Sequence, residues 1–276
     1  MKKMWKRFVS LLLACTLLAG MLPLSASAAV SAPGEGSEQY KYAESILNKL
    51  NESITNEQEK YGLYGPALLA DSELYTYSLQ RSIYDKDSGK WTTDTQYILV
   101  PGVDAQNTTT PNYNGLNSGQ PWAESNPSAI YIAEGVTGIG NYAFASQPSL
   151  NNVVFQDASD LTYIGQRAFY DDDNAVFTDE GNEGENATLN LSNVNKMGEY
   201  AFYNCDKLTG VKLGNMTAIE GNEEIPNKIP NNAFNNSGLQ TVTIPDGIKH
   251  IGNGAFGYTG LKDVTDLVLP NGLETI

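Results

Sequence analysis

One histidine, two cysteines and 17 basic residues in a chain of 276 are what this sequence has least of, and each scarcity closes a class of function. A single His leaves little material for His-based metal or acid/base sites. Two Cys cannot build a disulfide-dense scaffold. The 17 Lys and Arg face 32 Asp and Glu, a formal net charge of -15, so the field has the wrong sign for a nucleic-acid partner held through phosphates. Nothing resembles a nucleotide-binding loop or a thiolate metal cluster, and no cofactor is predicted.

What is present begins at the N-terminus. Lys2, Lys3, Lys6 and Arg7 precede a mostly apolar run, Phe8 to Leu24, that ends at the small-residue site Ala26-Ser27-Ala28. Residues 1–28 read as a secretory signal peptide, which predicts a secreted or cell-surface, extracellular protein with no membrane insertion after cleavage. A membrane anchor is the alternative, disfavoured by the short run and by Pro23 within it. Lipidation at Cys15 ranks lower still, since apolar residues continue beyond it. Cleavage removes four basic residues and no acidic one, leaving 13 against 32, a net -19. It also leaves Cys205 alone, so no intrachain disulfide can form where one would be permitted.

A search for self-similarity then organises the second half of the chain. Ala-Phe recurs at Phe144, Phe169, Phe202, Phe234 and Phe256, and five residues before each Phe stands Ile139, Ile164, Met197, Ile229 or Ile251. Gly follows that residue in four units and Pro230 in the other. Upstream lie short alternating segments, Ile130-Tyr131-Ile132, Val153-Val154-Phe155, Leu189-Asn190-Leu191, Val211-Lys212-Leu213, Val242-Thr243-Ile244 and Leu267-Val268-Leu269, with apolar first and third residues. That is a strand period with both apolar side chains on one face. The Phe-to-Phe spacings are 25, 33, 32 and 22, and the excess falls in two polar stretches, Asp171 to Asn186 and Glu220 to Lys228, expected to protrude as loops. Units this short share a core only by stacking, so the fold class is mainly β, a solenoid of short strands and turns with the Phe column as an internal aromatic stack.

The patterns IPDGIKHIGNGAFGYTGL, from Ile244, and IAEGVTGIGNYAF, from Ile132, resemble the BspA-type leucine-rich repeat of exported and surface proteins in bacteria and some protists. The likeness covers residues 129–276, with Met197, Pro230 and the two acidic insertions as departures. By its register the last unit is truncated at Ile276, which predicts further units or domains beyond it. The resemblance also implies a strand-rich segment with a Pro-Trp pair ahead of the first unit, matched by Pro121-Trp122. A packing role for Cys205 is implied as well.

Ahead of the repeats, residues 29–36 read as a linker, and Ala43, Ile46, Leu47, Leu50 and Ile54 fall at helical spacing between Ser37 and Tyr61, with Gly62 as a stop. Leu74 to Tyr84 and Trp91 to Val100 read as a hairpin around Asp85 to Gly89. The domains expected are thus a signal peptide (1–28), a linker with one amphipathic helix (29–64), a small β-rich N-terminal cap (65–128) and the repeats (129–276).

Candidate chemistry is sparse. His250 occupies a variable position of the unit, and no spacing supplies the partners a catalytic base needs. Asp85-x-Asp87-x-Gly89 opens like a calcium loop but lacks the closing Glu, Gln96 standing there instead, so a turn is the preferred reading. Asp171 to Asp173 with Asp179, Glu180, Glu183 and Glu185 reads as a solvated acidic loop before a weak calcium site. No metal site and no catalytic residue is predicted. The remaining candidate is a surface, the row of strand side chains pointing away from the core: Tyr131, Val154, Asn190, Lys212, Thr243 and Val268. The function expected is a non-enzymatic, adhesion-like binding module for a protein or glycan. The alternatives are the non-catalytic N-terminal region of a larger secreted peptidase or glycan hydrolase, and a passive spacer.

Overall fold

A computed structural model describes residues 31–276 apart from 57–58, 70–71, 86, 104, 117, 181–186, 220–224 and 264–267. The signal segment, residues 1–28, lies outside the described residues, as do Glu183, Glu185 and most of the second insertion.

Helix α1 (Glu38–Glu52) starts at Ser37, whose side chain accepts from the Tyr40 N–H, and buries Ala43 and Ile46. It is shorter than the apolar spacing predicts. Asn51 clamps the backbone of Tyr61, accepting its N–H at 2.8 Å and donating to its carbonyl at 3.1 Å, and so ties the helix end to the following strand. Ser53, Ile54, Thr55 and Asn56 are poor helix formers in any case. Gly62, expected as a helix stop, opens strand β1 (Gly62–Leu68), an edge strand whose register slips between Tyr64 and Ala67. Gly65 and Pro66 sit in that irregularity, one of the few places where a strand accepts them.

Strands β2 (Leu74–Asp85) and β3 (Lys90–Pro101) form the hairpin, paired without slippage from Leu74↔Pro101 to Asp85↔Lys90. The hairpin is continuous with the repeats, because β3 runs parallel to β4 (Ala129–Ile132), with Leu99 opposite Ile132. Successive side chains of β2 and β3 serve two cores. Leu74 and Leu99 face the repeat core, whereas Tyr75, Tyr77, Ile98 and Val100 face α1. Ser31 bridges to Val103, and the Tyr77 hydroxyl donates to the Pro33 carbonyl at 2.6 Å, so residues 31–33 are docked against the hairpin.

Each repeat then contributes to two columns of parallel strands, the geometry of a leucine-rich-repeat solenoid. In chain order they are β5 (Gly138–Ile139), β6 (Asn152–Phe155), β7 (Tyr163–Ile164), β8 (Val176–Asp179), β9 (Thr188–Leu191), β10 (Lys196–Met197), β11 (Gly210–Leu213), β12 (Ala218–Ile219), β13 (Lys228–Ile229), β14 (Thr241–Thr243) and β15 (His250–Ile251). One column completes the six-stranded sheet β1-β2-β3-β4-β6-β8 and continues as β9-β11-β14. The other, made of the aliphatic positions five residues before each Phe together with Ala218-Ile219 ahead of the second insertion, runs β5-β7-β10-β12 and then β13-β15.

Strand β8 corrects the expectation of a protruding loop over Asp171 to Asn186. Its Val153↔Phe177 and Val154↔Thr178 pairs place it in the sheet, and Phe177 enters the core. At the other end, Val268 belongs to no strand and is 77% exposed.

Between the two columns the Ala-Phe segments stack. Each Phe N–H donates to the Ala carbonyl of the next unit, Phe144 to Ala168, Phe169 to Ala201, Phe202 to Ala233 and Phe234 to Ala255, at 2.7 to 2.9 Å. The residue two before each Phe and the residue two after it have positive φ, as at Tyr142 and Ser146, Arg167 and Asp171, Tyr200 and Asn204, and Asn232 and Asn236. Asn is among the residues that tolerate this region, which gives Asn204, Asn232 and Asn236 a structural place. Asn also bridges units through its side chain. Asn141 Oδ1 accepts the Gln166 N–H at 2.5 Å, and Asn231 Oδ1 accepts the Asn253 N–H at 3.0 Å.

The rings form one continuous stack, Trp122-Phe144-Phe169-Phe202-Phe234-Phe256, with centroids 4.8 to 5.6 Å apart and planes within 25°. Trp122 through Phe234 are fully buried. Offset aromatic pairs of this kind contribute roughly 0.5–1.5 kcal/mol each beyond the area they bury.

Candidate functional site

The outward row of side chains divides where the sheet does. Tyr131, Val154 and Thr178 are register partners in the first sheet, and Asn190, Lys212 and Thr243 in the second. Tyr131 is not free, because it packs with the cluster beneath α1. Burial, with the nearby Asp94 charge, pushes its phenol up to about 12. Val154 is half-buried and Thr178 buried. In the second sheet Lys212 and Thr243 are exposed and Asn190 half-buried. Strand spacing sets such neighbours about 4.8 Å apart, close enough for one ligand to touch all three. Thr178 was missed from sequence because its strand was not recognised.

At the joint of hairpin and repeats lies a polar network. Asp94 accepts from the Tyr61 hydroxyl, from Arg81 Nε at 3.2 Å and from the Ser128 hydroxyl at 2.5 Å. The Arg81 guanidinium also covers the Tyr61 ring, 4.7 Å from its centroid. Gln96 Nε2 donates to the Tyr61 hydroxyl at 2.8 Å. Burial and the bond to Asp94 push the Tyr61 phenol well up.

A second surface cluster was also missed. The Arg167 guanidinium lies over the rings of Tyr142, Tyr170 and Tyr200, and Tyr170 stacks on Tyr203 at 5.0 Å. The signal for it lay in the unit itself, since these residues flank the Ala-Phe pairs at constant offsets.

The other candidates resolve individually. Asp85 closes the hairpin turn, its Oδ1 accepting from the Asp87 N–H at 2.9 Å and its Oδ2 from the Ser88 hydroxyl at 2.5 Å; these bonds, that from Ser88 foremost, hold its carboxyl below the usual range. Asp172 points inward. It is buried, accepts the Gln147 N–H at 2.8 Å, and has its carboxyl held well above the usual range by loss of solvent. Asp179 bridges units, accepting from the Ala158 N–H at 3.1 Å and the Asn190 N–H at 3.3 Å, and burial raises its carboxyl too. Asp172 and Asp179 thus do not share one loop cluster, and no group of His, Cys, Asp and Glu among the described residues is arranged to hold a metal ion. Cys205 is buried, its thiol pushed well up by burial, with Sγ donating to the Phe169 carbonyl at 3.0 Å. His250 Nδ1 lies 2.9 Å from Thr275 Oγ1, and its Nε2 is 3.9 Å from a Glu274 oxygen.

The sequence profile of the BspA type leucine rich repeat region matches residues 122–224 and 227–276, in six copies. No curated protein matches the chain. Among solved structures, a leucine-rich repeat protein from Eubacterium ventriosum aligns at 16% identity with a TM-score of 0.28, over 71% of this chain and 63% of that one. No helix among the described residues is long and apolar enough to cross a membrane.

Proposed function

The chain belongs to the BspA-type leucine-rich repeat family, and from that premise we propose that it is an exported bacterial surface protein whose solenoid binds another macromolecule in the manner of an adhesin. Residues 1–28 act as its export signal, and the repeats present the binding face. The observation that carries this reading is the row Asn190-Lys212-Thr243. An amide, an ammonium and a hydroxyl stand side by side on register-matched strands, on a face that α1 leaves open. A rigid row of mixed donors and acceptors suits a protein surface or a glycan. The strongly acidic balance works against a nucleic-acid partner. Structural parts account for much of the chemistry-bearing side-chain inventory: Asp179 bridges units, Cys205 packs and Asp85 shapes a turn. This supports a non-catalytic role.

The test is binding of the purified exported chain to immobilised matrix proteins and cell-wall glycans. Lys212→Glu combined with Thr243→Ala, both at exposed positions, should weaken the interaction at least tenfold without changing the melting temperature. A folded sample that binds none of these surfaces, or a double variant that binds as well as the parent, refutes the reading.

A further inference from the structure

Beside the last turn of α1, a pocket of about 380 Å³ opens toward the first two repeats, a volume at the low end for small-molecule sites. Leu50 and Ile54 of the helix side and the Tyr61 ring give it an apolar wall, while Gln96, Tyr131 and Asn152 supply polar groups.

The hydrogen bonds around the pocket have a fixed direction. Tyr61 gives its hydroxyl proton to Asp94, so toward Gln96 it can only accept, and it accepts from Nε2. That orients the Gln96 amide and leaves Oε1, in a side chain 7% exposed, as an acceptor with no partner. The Tyr131 hydroxyl and the Asn152 amide form no side-chain hydrogen bond with the described residues, so both are available. An unpaired buried acceptor is costly, and a ligand donor would relieve it.

Charge narrows the ligand. Arg81 is the pocket's cation and Asp94 its anion, and the two are paired at 3.2 Å. Neither a carboxylate nor an ammonium finds a free counter-charge here. Unpaired hydroxyl and amide groups beside an apolar wall suit a neutral ring that carries several hydroxyls on apolar faces.

We propose that this pocket binds a neutral sugar unit of a glycan, through Tyr131, Asn152 and Gln96. The proposal rests on the chain being a binding module and assigns a ligand class to its helix-capped end.

The experiment is an array of neutral and acidic oligosaccharides probed with the full exported chain, followed by titration of a retained neutral oligosaccharide. Tyr131→Phe and Asn152→Ala should each weaken it about tenfold, the worth of one well-made hydrogen bond. Asn152 is exposed, so its variant keeps the fold even where Tyr131→Phe does not. Lys207→Glu, an exposed change outside both the pocket and the strand row, should leave the oligosaccharide affinity unchanged. The proposal is overturned if a folded chain retains no neutral oligosaccharide, if it prefers acidic or peptide probes, or if Asn152→Ala binds within twofold of the parent. Binding to matrix proteins that still responds to Lys212→Glu would leave the surface reading standing while the sugar pocket falls; loss of both removes both.

Discussion

The indole of Trp122 lies on the ring of Phe144, centroids 4.8 Å apart and planes at 25°, while its Nε1–H donates to the Ala143 carbonyl at 2.7 Å. A residue ahead of the first Ala-Phe unit thus supplies the first ring of the stack, and it satisfies a carbonyl that later units pair with backbone N–H groups.

Trp122→Phe keeps a ring but removes the donor, and should cost about 1–3 kcal/mol, the penalty of an unsatisfied buried carbonyl. Trp122→Ala should cost roughly 3–5 kcal/mol. Denaturant midpoints followed by circular dichroism check both, and equal stability of Trp122→Phe and the parent would remove the hydrogen bond from the account.

Phe202 touches the rings of Phe169, Phe177 and Phe234, whereas Phe256 is half-buried and among the described residues stacks on Phe234 alone. Phe202→Ala should lose about 3–5 kcal/mol, and Phe256→Ala distinctly less. A reversed order in thermal melts would contradict a stack loaded at its centre.

Asp172 governs a pH response. Its folded carboxyl titrates well above its unfolded value of about 3.9, so the folded state favours the neutral acid. The stability this group allows is therefore full below about pH 4 and falls as pH rises through the folded value. Asp179 shifts the same way. Asp172→Asn, which cannot ionise and retains an acceptor for the Gln147 N–H, should melt higher at pH 7 and show a shallower decline from pH 4 to 7. An unchanged slope would place the dependence elsewhere.

Gly198 has no room for a side chain, since an added Cβ would lie 2.2 Å from the Gln166 backbone nitrogen of the neighbouring unit. Gly198→Ala should destabilise by about 1–3 kcal/mol, as forced overpacking does. The same exchange at Gly115, where nothing stands within 4 Å, should be close to neutral, and calorimetry on the pair separates the two cases.

Much of the solenoid was legible because its signals are local and repeated. The Phe register survived spacings from 22 to 33 residues, since insertions leave the stacked rings undisturbed at 5.2 Å across the longest of them. Strand β8 was not legible. Among its described residues Phe177 and its small neighbour Ala175 are the buried apolar ones, within a run of Asp, Glu and Asn that masks the alternation. Strand β1 was hidden by Gly65 and Pro66, breakers anywhere except at a bulge. The covering of Tyr131 could not be read either, because it depends on where a distant helix docks, which no spacing within the repeats encodes.

The division between β8 and β9 has a mechanical meaning. Elsewhere along the long-strand column, neighbouring strands share a backbone ladder, so a pull along the axis loads several parallel bonds together. Among the described residues no such ladder joins β8 to β9, and the Asp179 carboxylate spans the gap to Asn190. Load carried along that face passes at this step through the Asp179 carboxylate, while the β7–β10 ladder and the Phe169–Phe202 contact still join the same units through the rest of the cross-section.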